Sequence, residues 1–215
     1  MKTDYTDISI VLDRSGSMAS VRDDTIGGYN TFLREQQTAP GTCTLTLVQF
    51  DTEYECVYKA VAVQNVAPLD TQTFVPRGGT ALLDAIGRTI IETGVRLSAM
   101  AENDRPGKIL FVILTDGEEN SSHEFTMERI HDMIKHQREV YKWEFVFLGA
   151  NQDAIATGTS MGVAPASALT YAASPMGVAA VFDSLAANTR QYRAGEAQDA
   201  SFSQADREAQ KKAGA

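Results

Sequence analysis

Apolar residues recur along the chain with two alternating rhythms. Residues 7–12 form a continuous, β-branched run of the kind covered on both faces in a parallel sheet. Val21, Thr25, Tyr29, Phe32 and Leu33 then fall at helical spacing until Ala39-Pro40-Gly41 stops them. Residues 42–50 and 54–63 are rich in Thr, Val, Leu and Tyr, and only Asp51-Thr52-Glu53 separates them, which predicts an antiparallel hairpin at a sheet edge. Leu83, Ile86, Ile90 and Leu97 make an amphipathic stripe within 80–100, and its apolar face is core. Residues 108–114 read as the most deeply buried strand. Met127, Ile130, Met133, Ile134 and Tyr141 line one side of a helix over 126–141, and 144–148 is a further strand. A Gly- and Ala-rich helix near 154–161, a short strand at 169–172 and a last helix over 175–190 complete the pattern.

Six strands alternating with about six helices predict an α/β fold: a Rossmann-like three-layer sandwich whose six-stranded, mostly parallel sheet has one antiparallel edge strand and helices on both faces. From Gly195 onward the apolar spacing dissolves, and Phe202 is the only large hydrophobe. Residues 1–192 are therefore expected to form one domain and 193–215 a polar tail.

The 215 residues, 43% hydrophobic and 22% charged, suffice for one substantial core. The longest wholly apolar run, 109–114, is far too short to span a membrane, and Met1-Lys2-Thr3-Asp4 does not begin a signal peptide, so a cytoplasmic protein away from membranes is expected. Cys43 and Cys56 lie off register on the two hairpin strands, which predicts reduced, buried, inert thiols. A net charge of −9, with no Lys/Arg run interleaved with aromatics, argues against a nucleic-acid partner. Nothing in the composition indicates an oligomeric state.

Three short segments carry the candidate chemistry. Asp13-Arg14-Ser15-Gly16-Ser17 follows the first strand and offers a carboxylate and two hydroxyls on alternate residues, with Gly16 allowing a tight turn. Thr115-Asp116-Gly117 stands in the same relation to the strand over 108–114, and Gly78-Gly79-Thr80 presents a hydroxyl at the mouth of a helix. In an open α/β sheet, loops beyond the strands' carboxyl ends converge where the strand order reverses. A donor set of oxygens, without His or Cys, selects hard cations; two carboxylates with several hydroxyls suit Mg²⁺ first, with Mn²⁺ or Ca²⁺ as alternatives.

Asp-x-Ser-x-Ser, a later loop Thr and a strand-end Asp-Gly together resemble the metal-ion-dependent adhesion site of von Willebrand factor A domains. The likeness covers roughly residues 5–190, and all five motif positions are intact. The resemblance implies that Ser15 and Ser17 bind the ion directly, that Asp13 and Asp116 bind it directly or through water, and that Thr80 enters or leaves the shell. It also implies an acidic residue of a partner protein completing the coordination, a last helix (175–190) that shifts in some members, and roles for cytoplasmic members in complex assembly or as adaptors of chaperone-like ATPases. The expected function is thus a metal-dependent protein-binding module and not an enzyme.

Two other readings compete. A phosphotransfer enzyme using Asp13 as nucleophile is opposed by Ser15, which stands where such enzymes place an acidic general acid, and by the lack of a Lys in a phosphate-binding loop after Thr80; 76–80 is no Walker motif. In an assembly component, the metal would only staple loops together. Asp-x-Ser-x-Ser alone would be read as a helix cap, and it is the joint presence of Thr80 and Asp116-Gly117 that favours the metal. Asp23, Asp24, Asp51, Glu53, Glu118 and Glu119 are expected to form a solvated acidic rim, which would suit a partner with basic residues beside its coordinating acid. His131 and His136, five apart, are expected to face solvent, and His123 to be a polar loop residue. Close helix packing accounts for Gly27-Gly28, and Trp143 reads as a core anchor. The acceptor-like Asn120-Ser121-Ser122 has no consequence without a secretory signal.

Overall fold

The computed structural model describes residues 1–150 and 153–215. Among them the elements run β1 (Lys2–Asp13), α1 (Arg22–Thr38), β2 (Thr42–Phe50), β3 (Tyr54–Ala62), α2 (Leu82–Ser98), β4 (Pro106–Thr115), α3 (Met127–Tyr141), β5 (Glu144–Ala150), α4 (Ala154–Ser160), β6 (Ala168–Tyr171), α5 (Pro175–Ala194) and α6 (Gln204–Lys212), with short 3-10 turns between several of them. The six strands form one sheet in the order β3-β2-β1-β4-β5-β6. Only the β2–β3 pair is antiparallel; the other four pairs are parallel. This is the expected α/β architecture, including the antiparallel edge.

The continuous apolar strands follow from two covered faces. Ile8, Ile10 and Leu12 of β1 and Leu110, Val112 and Leu114 of β4 pack with Tyr29, Phe32 and Leu33 of α1 and Val178, Val181 and Phe182 of α5. The intervening Val11, Phe111 and Ile113 point the other way, into a second cluster with Leu83, Ile86 and Ile90 of α2 and Ile130, Met133 and Ile134 of α3. Trp143 is buried in that second cluster and stacks on Phe145 at 6.2 Å between centroids, as expected of a core anchor. Gly28 alone explains the double glycine of α1. A Cβ there would lie 2.2 Å from the Phe182 ring of α5, whereas one on Gly27 would meet nothing within 4 Å.

Both thiols are free, and Cys56 pairs with Val48 in the ladder, not with Cys43. Burial pushes the Cys43 thiol up to about 11 and raises that of the half-buried Cys56, so neither is a ready nucleophile. Among the described residues, no helix is long and apolar enough to cross a membrane.

The C-terminal segment departs from expectation. A boundary at 192 falls inside α5, where Arg193 is buried and donates Nη1 to the carbonyl and Oε1 of Gln36 at 2.8 and 2.9 Å. The residues after α5 fold back instead of forming a free polar tail. Gly195, at φ 77°, ends α5 in the left-handed conformation that glycine favours, and a Ser203–Asp206 capping box starts α6. Ala200, Phe202, Gln210 and Ala213 are buried. Hydrogen bonds supply what apolar area does not: the Arg207 side chain donates Nη1 to Ala168 O at 2.9 Å, the Gln210 side chain donates Nε2 to Gly177 O at 3.2 Å, and the Phe202 backbone N–H donates to Ala166 O at 2.9 Å. The segment lacks a core of its own and docks on the core of the domain.

Candidate metal centre

β1 and β4 lie side by side at the middle of the sheet, and the chain leaves them toward opposite edges, β2 on one side and β5 on the other. The crevice beyond their carboxyl ends is thus the topological switch point. Asp13 is the last residue of β1, and Thr115 the last of β4.

Asp13 is fully buried. Its Oδ1 accepts the Ser15 N–H at 2.6 Å, bending the chain so that Ser15 and Ser17 face the same way; their hydroxyl oxygens are 3.0 Å apart. Its Oδ2 accepts the Thr115 hydroxyl at 2.6 Å, which ties the two strand ends together. Ser17 Oγ donates to Asp116 Oδ1 at 2.6 Å. Thr80 closes the arrangement from the loop before α2. A Cβ built on Gly117 would stand 3.0 Å from Thr80 Oγ1, 3.4 Å from Ser17 Oγ and 3.8 Å from Ser15 Oγ, so three hydroxyls surround the space that glycine leaves open. All five residues expected from sequence, Asp13, Ser15, Ser17, Thr80 and Asp116, are brought together.

The loops are fastened to one another by backbone as well. Gly16 N–H donates to Gly78 O at 3.1 Å, Arg77 N–H to Arg14 O at 2.8 Å, Arg14 N–H to Phe50 O at 2.8 Å, and Asn120 N–H to Thr80 O at 3.1 Å. Asn120 Oδ1 accepts the Thr80 N–H in return, at 2.9 Å.

Burial makes the two carboxylates reluctant to ionise. It pushes Asp13 up to about 6 against the lowering effect of its bonds from Thr115 and Ser15, and the neighbouring Asp116 charge adds to the rise. Burial also raises Asp116, partly offset by the Ser17 hydrogen bond. Crowded, desolvated negative charge of this kind favours a cation.

The expected acidic rim is only partly present. Asp23, Glu53 and Glu118 are exposed, but Asp51 and Glu119 have turned inward to partners. Asp51 Oδ2 accepts Arg14 Nε at 2.9 Å and Arg77 Nε at 2.8 Å. Burial raises this carboxyl, yet the Arg77 hydrogen bond, the Glu53 N–H and the Arg14 charge outweigh that and hold it below the usual carboxylate value. Glu119 Oε2 accepts the Leu83 N–H at 3.0 Å and Oε1 the Ser122 N–H at 2.7 Å, capping the start of α2. His136 is exposed, whereas His131 is half-buried with Nδ1 3.1 Å from Ser160 O; His123 is an exposed loop residue. Sequence reading missed Thr115, Arg14, Asp51, Arg77 and Asn120 as parts of this site. Thr115, inside the Thr-Asp-Gly segment, and Arg14, inside the Asp-Arg-Ser-Gly-Ser segment, carried a local signal.

Among the described residues no group of three or more His, Cys, Asp and Glu is placed to hold a metal. The donors at the switch point are hydroxyls with two carboxylates, which fits a hard, oxygen-loving ion and not a His/Cys site.

No protein-family profile and no curated protein sequence matches this chain. Solved structures do. The vWF domain of the type V pili tip protein Mfa5 from Porphyromonas gingivalis is 11% identical with a TM-score of 0.62, over 88% of this chain and 96% of that one. Proximal thread matrix protein 1 from the mussel byssus, with a zinc-occupied MIDAS motif, is 13% identical with a TM-score of 0.59, over 83% of this chain and 46% of that one. A von Willebrand factor type A structure from Catenulispora acidiphila is 16% identical with a TM-score of 0.55, over 88% of this chain and 43% of that one. The chain thus spans less than half of the mussel and Catenulispora chains and nearly all of the Mfa5 domain. With the sheet order and the crossing at β1 and β4, these likenesses show that the chain has the fold of von Willebrand factor A domains.

Proposed function

We propose that the cradle around Gly117 holds one divalent cation, Mg²⁺ by preference, and that a carboxylate from a partner protein completes it, so that the chain is a metal-dependent protein-binding module and not an enzyme. The observation that carries this reading is the convergence of the Ser15, Ser17 and Thr80 hydroxyls beside Asp116 at a glycine in the open crevice of the switch point. Ser15, Ser17, Thr80 and Asp116 would hold the ion. Asp13, with both oxygens engaged by Ser15 and Thr115, would orient the serine loop and supply the second negative charge. When bound, the ion supplies a positive charge that two protein carboxylates balance and that a third, incoming carboxylate finds attractive.

Mg²⁺ comes first because the donors are all oxygens and few are charged; Mn²⁺ and Ca²⁺ share that chemistry. The zinc in the mussel protein's motif is compatible, since intrinsic affinity rises along the divalent series and availability decides occupancy. A stapling role for the metal is opposed by the backbone bonds that already join the loops. Attack by Asp13 on a phosphoryl group is opposed by its full burial. The cytoplasmic assignment belongs to the same proposal and draws on the free thiols.

The test is calorimetric and thermal-shift titration with Mg²⁺, Mn²⁺, Ca²⁺ and Zn²⁺ of the wild type and of a variant carrying Asp13→Ala and Ser15→Ala. Saturable binding by the wild type that the variant loses is the expected result. Equal binding by both would place the metal elsewhere and sink the reading. Partner capture in Mg²⁺ that chelator abolishes, while the domain stays folded by circular dichroism, separates a contact role from a staple.

A further inference from the structure

Resting on the metal-binding reading above, we infer that Asp51 is the positioning residue of the cradle: its one buried carboxylate draws the Ser15–Ser17 loop and the Thr80 loop together and sets the spacing of their hydroxyls. Asp51 sits at the turn between β2 and β3 with its side chain 1% exposed. Oδ2 takes the Nε of Arg14, which lies between Asp13 and Ser15, and the Nε of Arg77, three residues before Thr80, at 2.9 and 2.8 Å. Oδ1 accepts the Glu53 N–H at 2.7 Å, and the Asp51 carbonyl accepts the Ala81 N–H at 3.0 Å, next to Thr80. A single residue is therefore bonded to both metal loops by side chain, and to one of them by backbone as well.

The arrangement has little slack. Arg14 is 7% exposed; its Nη1 is paired with Glu55, and its Nη2 finds no partner among the described residues. Without the Asp51 charge, two guanidinium groups held against one oxygen would repel, and the loops they belong to would separate. Ser15 and Ser17 are on one of those loops and Thr80 is on the other.

A charge effect alone and a positioning effect differ in sign at Arg77. Removing a positive charge near a cation site tightens cation binding by electrostatics; removing a clamp arm loosens it. Arg77 is 54% exposed, so its replacement leaves the core intact. The experiment titrates Mn²⁺ alone into wild type, Arg77→Gln, Arg77→Lys and Asp51→Asn, and records melting of each in chelator. Loss of an outer partner of metal-holding groups costs about 10- to 100-fold in affinity. The expected result is a loss of about that size in Arg77→Gln with its chelated melting temperature near wild type, recovery in Arg77→Lys, and a larger loss in Asp51→Asn. Arg77→Gln that binds Mn²⁺ as well as or better than wild type overturns the inference, and this arm stands even if Asp51→Asn fails to fold. A wild type that binds no Mn²⁺ instead overturns the metal reading, and this inference with it.

Discussion

Asp13→Asn is expected to stabilise the metal-free domain while removing its affinity for metal. Asp13 is fully buried, and burial pushes its carboxyl up to about 6 from the ordinary carboxylate value of 3.8. A rise of that size corresponds to about 3 kcal/mol by which the folded state disfavours the ionised form at neutral pH. The direction follows from proton counting. Between about pH 4 and 6 the folded chain keeps the Asp13 proton and the unfolded chain has lost it, so this group's contribution to stability is lost as pH rises through that window. Asparagine removes the charge and keeps the bonding. Its Oδ1 can accept the Ser15 N–H, and the Thr115 hydroxyl, which also lies 3.0 Å from Gly117 O, can turn to donate there while accepting from the new amide. After discounting imperfect amide geometry, the expected gain in chelator at pH 7 is about 2 kcal/mol, or about 4–8 °C in melting temperature for a chain of this length. Paired thermal and urea melts of the two proteins, at pH 7 and at pH 4, measure it. The difference should shrink toward zero at the lower pH, and saturating Mg²⁺ should reverse the order at pH 7, because only the wild type gains from binding. A variant less stable than wild type in chelator at pH 7 would refute the assignment of Asp13 as a strained charge awaiting a cation.

Three further outcomes follow from particular contacts. Gly117→Ala puts a methyl group 3.0 Å from Thr80 Oγ1 and should lower Mg²⁺ affinity by about 10-fold or more while changing chelated stability by less than about 1 kcal/mol; calorimetry with unchanged affinity would remove the cradle from Gly117. Phe202→Ala should cost about 3 kcal/mol in urea unfolding if the C-terminal segment docks as described, and nothing if it is a free tail. Gly28→Ala drives a methyl into Phe182 at 2.2 Å and should destabilise by about 1–2 kcal/mol, the overpacking exceeding the gain in helix propensity; a stabilised variant would mean that α1 and α5 readily move apart.

Local periodicity was enough to read the layers of this protein. Each face of β1 and β4 is dictated by alternate residues within a few positions, and the turn at 51–53 places β3 beside β2 without help from the rest of the chain. The five donors were legible for the same reason: each follows a strand or precedes a helix within one short segment, and all five meet in the crevice. What holds them was decided only in three dimensions. Asp51 and Glu119 look like surface acids because a carboxylate's partner cannot be read from its neighbours; Arg14 lies 37 residues from Asp51, and Leu83 lies 36 from Glu119. The C-terminal segment carries too little apolar area to announce a fold, yet its arginine and glutamine find backbone carbonyls near β6 and α5 about 39 and 33 residues away. Hydrophobic pattern is a short-range property and reports burial. Whether a buried charge is solvated, paired or left waiting for a cation depends on which distant loops the folded sheet brings to the same point.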